Sequence, residues 1–234
     1  MSEALSAADL RALNDPALFS LRGAHRRFRL GNDDVCRFHP EIAPFAAVSD
    51  RSDPASFLSL ASLVEPGDSV PVVLEPGTET PGFVTTFSSS AFQMLGTAVE
   101  GRFCDEAIVL NSDDAPEMFA LVSETEPGPF APRAVELGTY LGIRREGALI
   151  AMAGQRFDVG FGKEISAVCT LPAFRGQGLA EALIRHLVAL EREAGGISFL
   201  HVAETNPGAH SLYERMGFVD RAQMSLALLE RLPD

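Results

Sequence analysis

The chain has 234 residues, 46% hydrophobic and 22% charged, the balance of a folded protein with room for one large domain or two small ones. Its 32 acidic residues against 19 basic ones give a formal net charge of −13, which disfavours nucleic acid and anionic membrane surfaces as partners. Lys163 is the only lysine and is followed by Glu164, with Phe157 where the first glycine of a phosphate loop would stand, so no nucleoside-triphosphatase loop is present.

The first ten residues lack a basic start and a long apolar run, so they do not read as a signal peptide. A short helical pattern opens the chain, and the basic stretch Arg22 to Arg29 reads as a solvated face. A strand follows near Phe45 to Val48. Asp53-Pro54 starts a helix with Phe57, Leu60 and Val64 on its apolar side, and Pro66-Gly67 ends it. Val70 to Leu74 is a short buried strand, and two strand-like runs follow, Gly82 to Phe87 and Ala91 to Val99. Residues 1–104 are thereby expected to form an α/β unit with no catalytic constellation, and residues 105–234 a second unit. That second unit begins with a strand at Ala107 to Leu110 and a helix through Met118 and Leu121, capped by acids that suit its dipole. Tyr140 to Arg144 and Ala148 to Phe157 form a hairpin about Glu146-Gly147, and Glu164 to Thr170 is the next strand. Gly178 to Glu193 is an amphipathic helix carrying Leu179, Leu183, Leu187 and Leu190. Strand Ile197 to Ala203, helix Pro207 to Met216 and strand Val219 to Leu228 complete the chain.

Cys36, Cys104 and Cys169 are far apart and odd in number, with no C-x-x-C pair, so neither a metal knuckle nor a disulfide framework is expected. The uncharged stretch Thr80 to Val99 is too rich in serine for a membrane span. A soluble, cytoplasmic protein without metal is the expectation.

Chemistry concentrates in Glu164 to Ala180. Its strand ends at Thr170, a loop presents Arg175, Gly176, Gln177 and Gly178, and a long helix starts at once. Glycines allow close backbone approach, and the free N–H groups at a helix start, with the positive dipole end behind them, suit a pyrophosphate. A tight turn that binds nothing accounts for R-G-Q-G alone equally well. About twenty-five residues downstream, Asn206 to Phe218 reads N-x-x-A-x-x-L-Y-x-x-x-G-F. The two motifs together resemble the GNAT N-acetyltransferase superfamily over residues 105–234, with a longer bacterial subgroup suggested by the flanking residues. The fold implied is α/β: a mixed, mostly antiparallel sheet flanked by helices. The N-terminal half is open to reading as a degenerate GNAT-like unit, since the Phe45 run loosely parallels the one from Phe199.

The resemblance implies an acetyl-CoA site. The backbone of Ala167, Val168, Cys169 and Thr170 would pair with the pantetheine arm. The N–H groups of Arg175, Gly176, Gln177, Gly178, Leu179 and Ala180 would hold the pyrophosphate, and Asn206 would contact the cofactor from the next strand. An N–H near Val168 would polarise the thioester carbonyl. Tyr213 occupies the family's position for the acid that protonates the departing thiolate; its other reading is an aromatic that stacks on the cofactor. Glu164 is the first candidate for general base and His201 the second, each with a structural alternative. Cys169 reads as a small buried residue, which favours direct transfer in a ternary complex. The expected partner is a small-molecule or peptide amine, with the chain a monomer or homodimer. A non-catalytic acyl-CoA sensor is the competing reading.

Overall fold

The computed structural model describes residues 5–233. Two short helices open it, α1 (Ala7–Asn14) and α2 (Pro16–Arg22). Asp15 separates them: its side chain accepts from the Leu18 N–H, and Pro16 starts the second helix where no N–H is needed. Strands β1 (Arg29–Gly31), β2 (Val35–Phe38) and β3 (Ala46–Val48) form a small antiparallel sheet in that order. Helix α3 (Pro54–Ala61) follows, capped by Asp53.

The other strands build one eight-stranded sheet. They are β4 (Ser69–Val73), β5 (Phe83–Leu95), β6 (Ile108–Leu110), β7 (Tyr140–Arg145), β8 (Ala148–Asp158), β9 (Gly162–Thr170), β10 (Ile197–Ala203) and β11 (Val219–Arg231). Their order is β4-β11-β5-β10-β9-β8-β7-β6. All neighbours run antiparallel except β9 and β10. The mixed, mostly antiparallel α/β architecture expected of the sequence is therefore present.

Helices α4 (Ala115–Thr125), α5 (Leu179–Glu193) and α6 (Pro207–Met216) connect the later strands. Leu183, Ile184 and Leu187 of α5 and Met216 of α6 pack with Met94, Ile165 and Leu200 on one face of the sheet. On the other face, Leu13, Leu18 and Phe38 pack against Leu95, Phe157 and Phe199. Met118 and Leu121 of α4 pack against Tyr140 and Met152. The alternation along β10, with Phe199 facing one way and Leu200 the other, follows from the two-residue period of a strand covered on both sides.

Two differences from the sequence reading have clear causes. The two runs expected between residues 82 and 99 are a single thirteen-residue strand, β5. Ser88-Ser89-Ser90 holds no turn-forming glycine or proline, and β11 pairs along the whole strand, through two bulges, from Arg231↔Phe83 to Val219↔Leu95. The boundary expected at residues 104 and 105 runs through the large sheet, because β5 lies between β10 and β11 and bonds to both. Helices α1, α2 and α3 and the small sheet are what residues 5–61 add outside it. In that part β3 pairs antiparallel with β2 and has no parallel neighbour, unlike β10, so its likeness to the Phe199 run is limited to a strand leading to a helix.

At the start of β9, Lys163 pairs with Glu191 of α5 at 3.3 Å. A fragment of residues 105–234 would leave β10 and β11 without the strand between them and Phe199 without its cover. We expect that fragment to show no cooperative thermal transition by circular dichroism, where the full chain shows one.

Candidate active site

The parallel pair β9 and β10 is joined for only four residues, from Gly162↔Ile197 to Ile165↔Leu200. Beyond that point β9 follows β8, with Cys169 opposite Met152 and Thr170 opposite Ala151. β10 follows β5, with Val202 opposite Phe92 and Ala203 opposite Ala91. The strands part, and a cleft of about 840 Å³ opens between them.

A bulge in β9 marks the parting. Ser166 pairs with Gly154 and Cys169 with Met152, so Ala167 and Val168 together face Ala153. Ala167 takes φ 51°, a left-handed conformation uncommon outside glycine. A bulge leaves an extra residue outside the ladder and re-aims the local backbone, here into the cleft that Ala167 and Val168 both line.

The glycine loop closes one end of the cleft. Gly176 and Gly178 both take φ 77°, and no other atom lies within 4 Å of where a Cβ would stand at either. The backbone turn, and not packing, thus requires glycine there. Gly178 is also the N-cap of α5 and offers no side-chain acceptor to the first-turn N–H groups, which are left for a ligand. Arg175 and Ala180 line the cleft, with Gln177 on the loop between them, while Leu179 turns into the core. The Arg175 side chain donates to the Thr170 carbonyl at 3.2 Å, and among the described residues no carboxylate pairs with it. Beside the wedge, the Thr170 hydroxyl is buried without a hydrogen-bond partner. The Cys169 thiol is pushed up to about 11 by burial, so it stays protonated.

Opposite the loop, Asn206 and Tyr213 line the cleft from the start and middle of α6. Asn206 caps that helix, its Oδ1 accepting from the Ala209 N–H at 3.1 Å. The Tyr213 ring packs edge-on to Phe218, and burial pushes its phenol up to about 12. None of the described residues hydrogen-bonds to its hydroxyl.

The floor at the other end is polar and fully interlocked. Glu164 lies beneath the wedge, where both its oxygens accept from Arg156 at 2.7 Å. Its Oε1 also accepts from Nδ1 of His201 at 2.7 Å. Burial pulls the Glu164 carboxyl upward, but the Arg156 charge and the hydrogen bonds from His201 and Arg156 outweigh it and hold the group at about 2. Arg156 itself packs against the rings of Phe45 and Phe157, which meet edge-on, with its guanidinium carbon 4.5 and 4.8 Å from their centres. The register of β10 on β5 sets Gln93 directly opposite His201, with their Nε2 atoms 2.9 Å apart.

The sequence reading named Glu164 and His201 but not Arg156, Gln93 or Phe45. An arginine at the end of the mostly apolar run Ile150 to Phe157, one hairpin away from Glu164, is a usable signal for the ion pair. Nothing local marks Gln93, because it reaches the site only through the β5–β10 pairing.

A splayed parallel pair with a glycine loop at the head of the following helix also defines a family of known proteins. Residues 109–218 match the model of the acetyltransferase (GNAT) family. A GNAT-family protein from Novosphingobium aromaticivorans has a solved structure with 34% identity and a TM-score of 0.87, over 94% of this chain and 99% of that one. A GCN5-related N-acetyltransferase from Kribbella flavida, 18% identical with a TM-score of 0.63, shares the fold over 99% of this chain and 98% of its own. The N-alpha-acetyltransferase RimI of Mycobacterium tuberculosis is 34% identical over 82 residues, which are 34% of this chain and about half (51%) of that relative. The chain belongs to the GNAT acetyltransferase family. The likeness to the Novosphingobium protein reaches far beyond residues 109–218, so the N-terminal elements are shared with it.

Removing one partner of a buried ion pair typically costs about 3–5 kcal/mol, since the other charge is left uncompensated. Glu164→Gln is expected to lower the unfolding free energy, read from a denaturant titration, by that order at neutral pH. A carboxyl held below its unfolded value stabilises the fold above that value and loses the effect as pH falls through the folded one. Wild-type stability should therefore contain a component lost between about pH 4.5 and 2, and Glu164→Gln should lack it in acid titrations.

Proposed function

We propose that the chain transfers the acetyl group of acetyl-CoA to a primary amine by direct attack in a ternary complex. The observation that carries this reading is the wedge between β9 and β10, with a strand backbone on one side, an uncapped helix start at one end and a free phenol facing across it.

The backbone of Ala167 to Thr170 binds the pantetheine arm, and the bulge turns the N–H near Val168 towards the thioester carbonyl. The N–H groups from Gly176 to Ala180 hold the pyrophosphate, with the Arg175 guanidinium adding charge. Asn206 contacts the cofactor through its amide nitrogen, since its oxygen caps α6. Tyr213 gives its proton to the departing sulfur. A phenol so held passes the proton in concert with bond cleavage, because transfer to an already departed thiolate, a weaker base than the phenolate, would be uphill. Glu164 and His201 shape and orient the acceptor end. Helix α2 with β3 walls that end, which gives the N-terminal elements a part in acceptor choice. The acyl-CoA sensor is disfavoured by the unblocked glycine loop and by a phenol that has no other partner.

Two variants test the reading. Gly178→Glu places a carboxylate at the anion cradle and a side chain at φ 77°; calorimetric titration with acetyl-CoA should show binding lost, and wild-type affinity would refute the cradle. Tyr213→Phe should lower kcat by about 10²- to 10⁴-fold, as loss of a general acid does, with acetyl-CoA affinity nearly unchanged. A wild-type kcat, in single-turnover measurements that exclude product release, would make Tyr213 a packing residue.

A further inference from the structure

Gln93 is fully buried, and its amide can point only one way. The Leu13 carbonyl, which can only accept, lies 2.8 Å from Gln93 Nε2. The Arg221 guanidinium, which can only donate, bonds to Gln93 Oε1. Arg221 stands at a bulge in β11, where the register slips between Asp220 and Ala222, and this aims its side chain onto β5. The second hydrogen of Gln93 Nε2 then goes to His201 Nε2. That ring nitrogen accepts, so the ring proton sits on Nδ1 and is donated to Glu164. The lone pair by which His201 could take a proton is occupied. Both oxygens of Glu164 are occupied as well, by Arg156 and His201. The charged groups packed against this floor are Arg156 from β8 and Arg221 from β11, with the phenol of Tyr140 from β7 beside Arg156. The one other carboxylate lining the cleft, Glu126, lies on the exposed turn after α4.

The walls around this floor are mainly apolar: Pro16 and Ala17 of α2, Phe45 and Ala46 at β3, Pro71 and Val73 of β4, with Ser89, Ser90 and Ser225 of the neighbouring strands as small hydroxyl groups between them. Resting on the acetyl-transfer reading above, we propose that the acceptor is a primary amine of low basicity with an apolar body, entering as the free base, and that the floor of the site supplies no proton acceptor. The proton count closes without one. The nitrogen lone pair forms the C–N bond, the C–S bond breaks, and the nitrogen sheds one proton while the sulfur gains one. Tyr213 hands its proton to sulfur and is refilled from nitrogen. An ammonium would bring one proton more, and neither Glu164 nor His201 has a vacant position for it.

Phenylalaninamide and phenethylamine test this, since they share an aromatic body and differ in basicity. An α-amino group titrates near 8 and an alkylamine, like lysine, near 10.4, so their free-base fractions at pH 7 differ by about two orders of magnitude. Free-thiol release by the full chain with acetyl-CoA is followed between about pH 6.5 and 9.5, below the range where most of the alkylamine is free. The expected result is a kcat/KM about 10²-fold higher for phenylalaninamide at pH 7. For phenethylamine, kcat/KM should climb about tenfold per pH unit without levelling off, as a free-base fraction does. A plateau for phenethylamine near neutral pH would reveal a base in the protein and overturn the proposal. Preference for a polyamine such as spermidine over both would also overturn it. Gln93→Leu uncovers His201 Nε2 and is expected to introduce that plateau; an unchanged profile in a folded variant would show that Gln93 does not hold the ring. Should the variant not fold, the wild-type profile decides alone. Acetyl-CoA binding without thiol release to any amine would instead refute the transfer reading itself.

Discussion

Everything in this molecule turns on two parallel strands that stay paired for four residues and then part. A parallel ladder left unfinished inside a sheet exposes backbone groups, and exposed buried backbone is costly. Three features make the opening tolerable here. Each strand keeps its outer neighbour, β8 for β9 and β5 for β10. The Ala167 bulge re-aims part of β9. The helices that follow the two strands, α5 and α6, start at the mouth and pack on the same face of the sheet. The cleft is thus the cost of a particular topology as well as its use, and the strand that makes it affordable, β5, comes from the first half of the chain.

That dependence explains what could be read from the sequence. Helix α6 and strand β10 have the expected bounds to the residue, because Asn206-Pro207 and Gly217 mark a helix start and stop unmistakably. The glycine loop was equally legible, since Gly176 and Gly178 are demanded by backbone conformation, a local property. Sheet order is not local. No periodicity in Phe83 to Leu95 says that it inserts between two strands more than a hundred residues later, and so the boundary near residue 104 looked natural. The short strands β1 and β2 are likewise invisible: β3 and β6, equally short, are unbroken apolar runs, whereas Arg29, Arg37 and the polar turn Asn32 to Asp34 interrupt these two.

The polar floor shows the same limit at the scale of single side chains. Glu164 and His201 are conspicuous as residue types, but their states are set by Arg156, Gln93 and Arg221, each on a different strand. Taken alone, a buried glutamate and a nearby histidine suggest proton transfer. Taken with their partners, they make a chain of hydrogen bonds with one fixed polarity. Such a chain gives rigidity and shape to one end of the cleft, and the edge-on Phe45 and Phe157 rings packed against Arg156 extend that rigidity to the N-terminal elements.

The Lys163–Glu191 pair carries a consequence of another kind. Protein lysines are common victims of acyl thioesters, and an acetyl-CoA-binding protein works beside a concentrated source of them. Here all other basic side chains are arginine or histidine, and the lone ammonium is held by a carboxylate at the start of β9, at the opposite end of that strand from Thr170 at the wedge. The side chains of this protein therefore offer a single amine to self-acylation, so stable amide-linked acyl groups on its side chains are confined to one position.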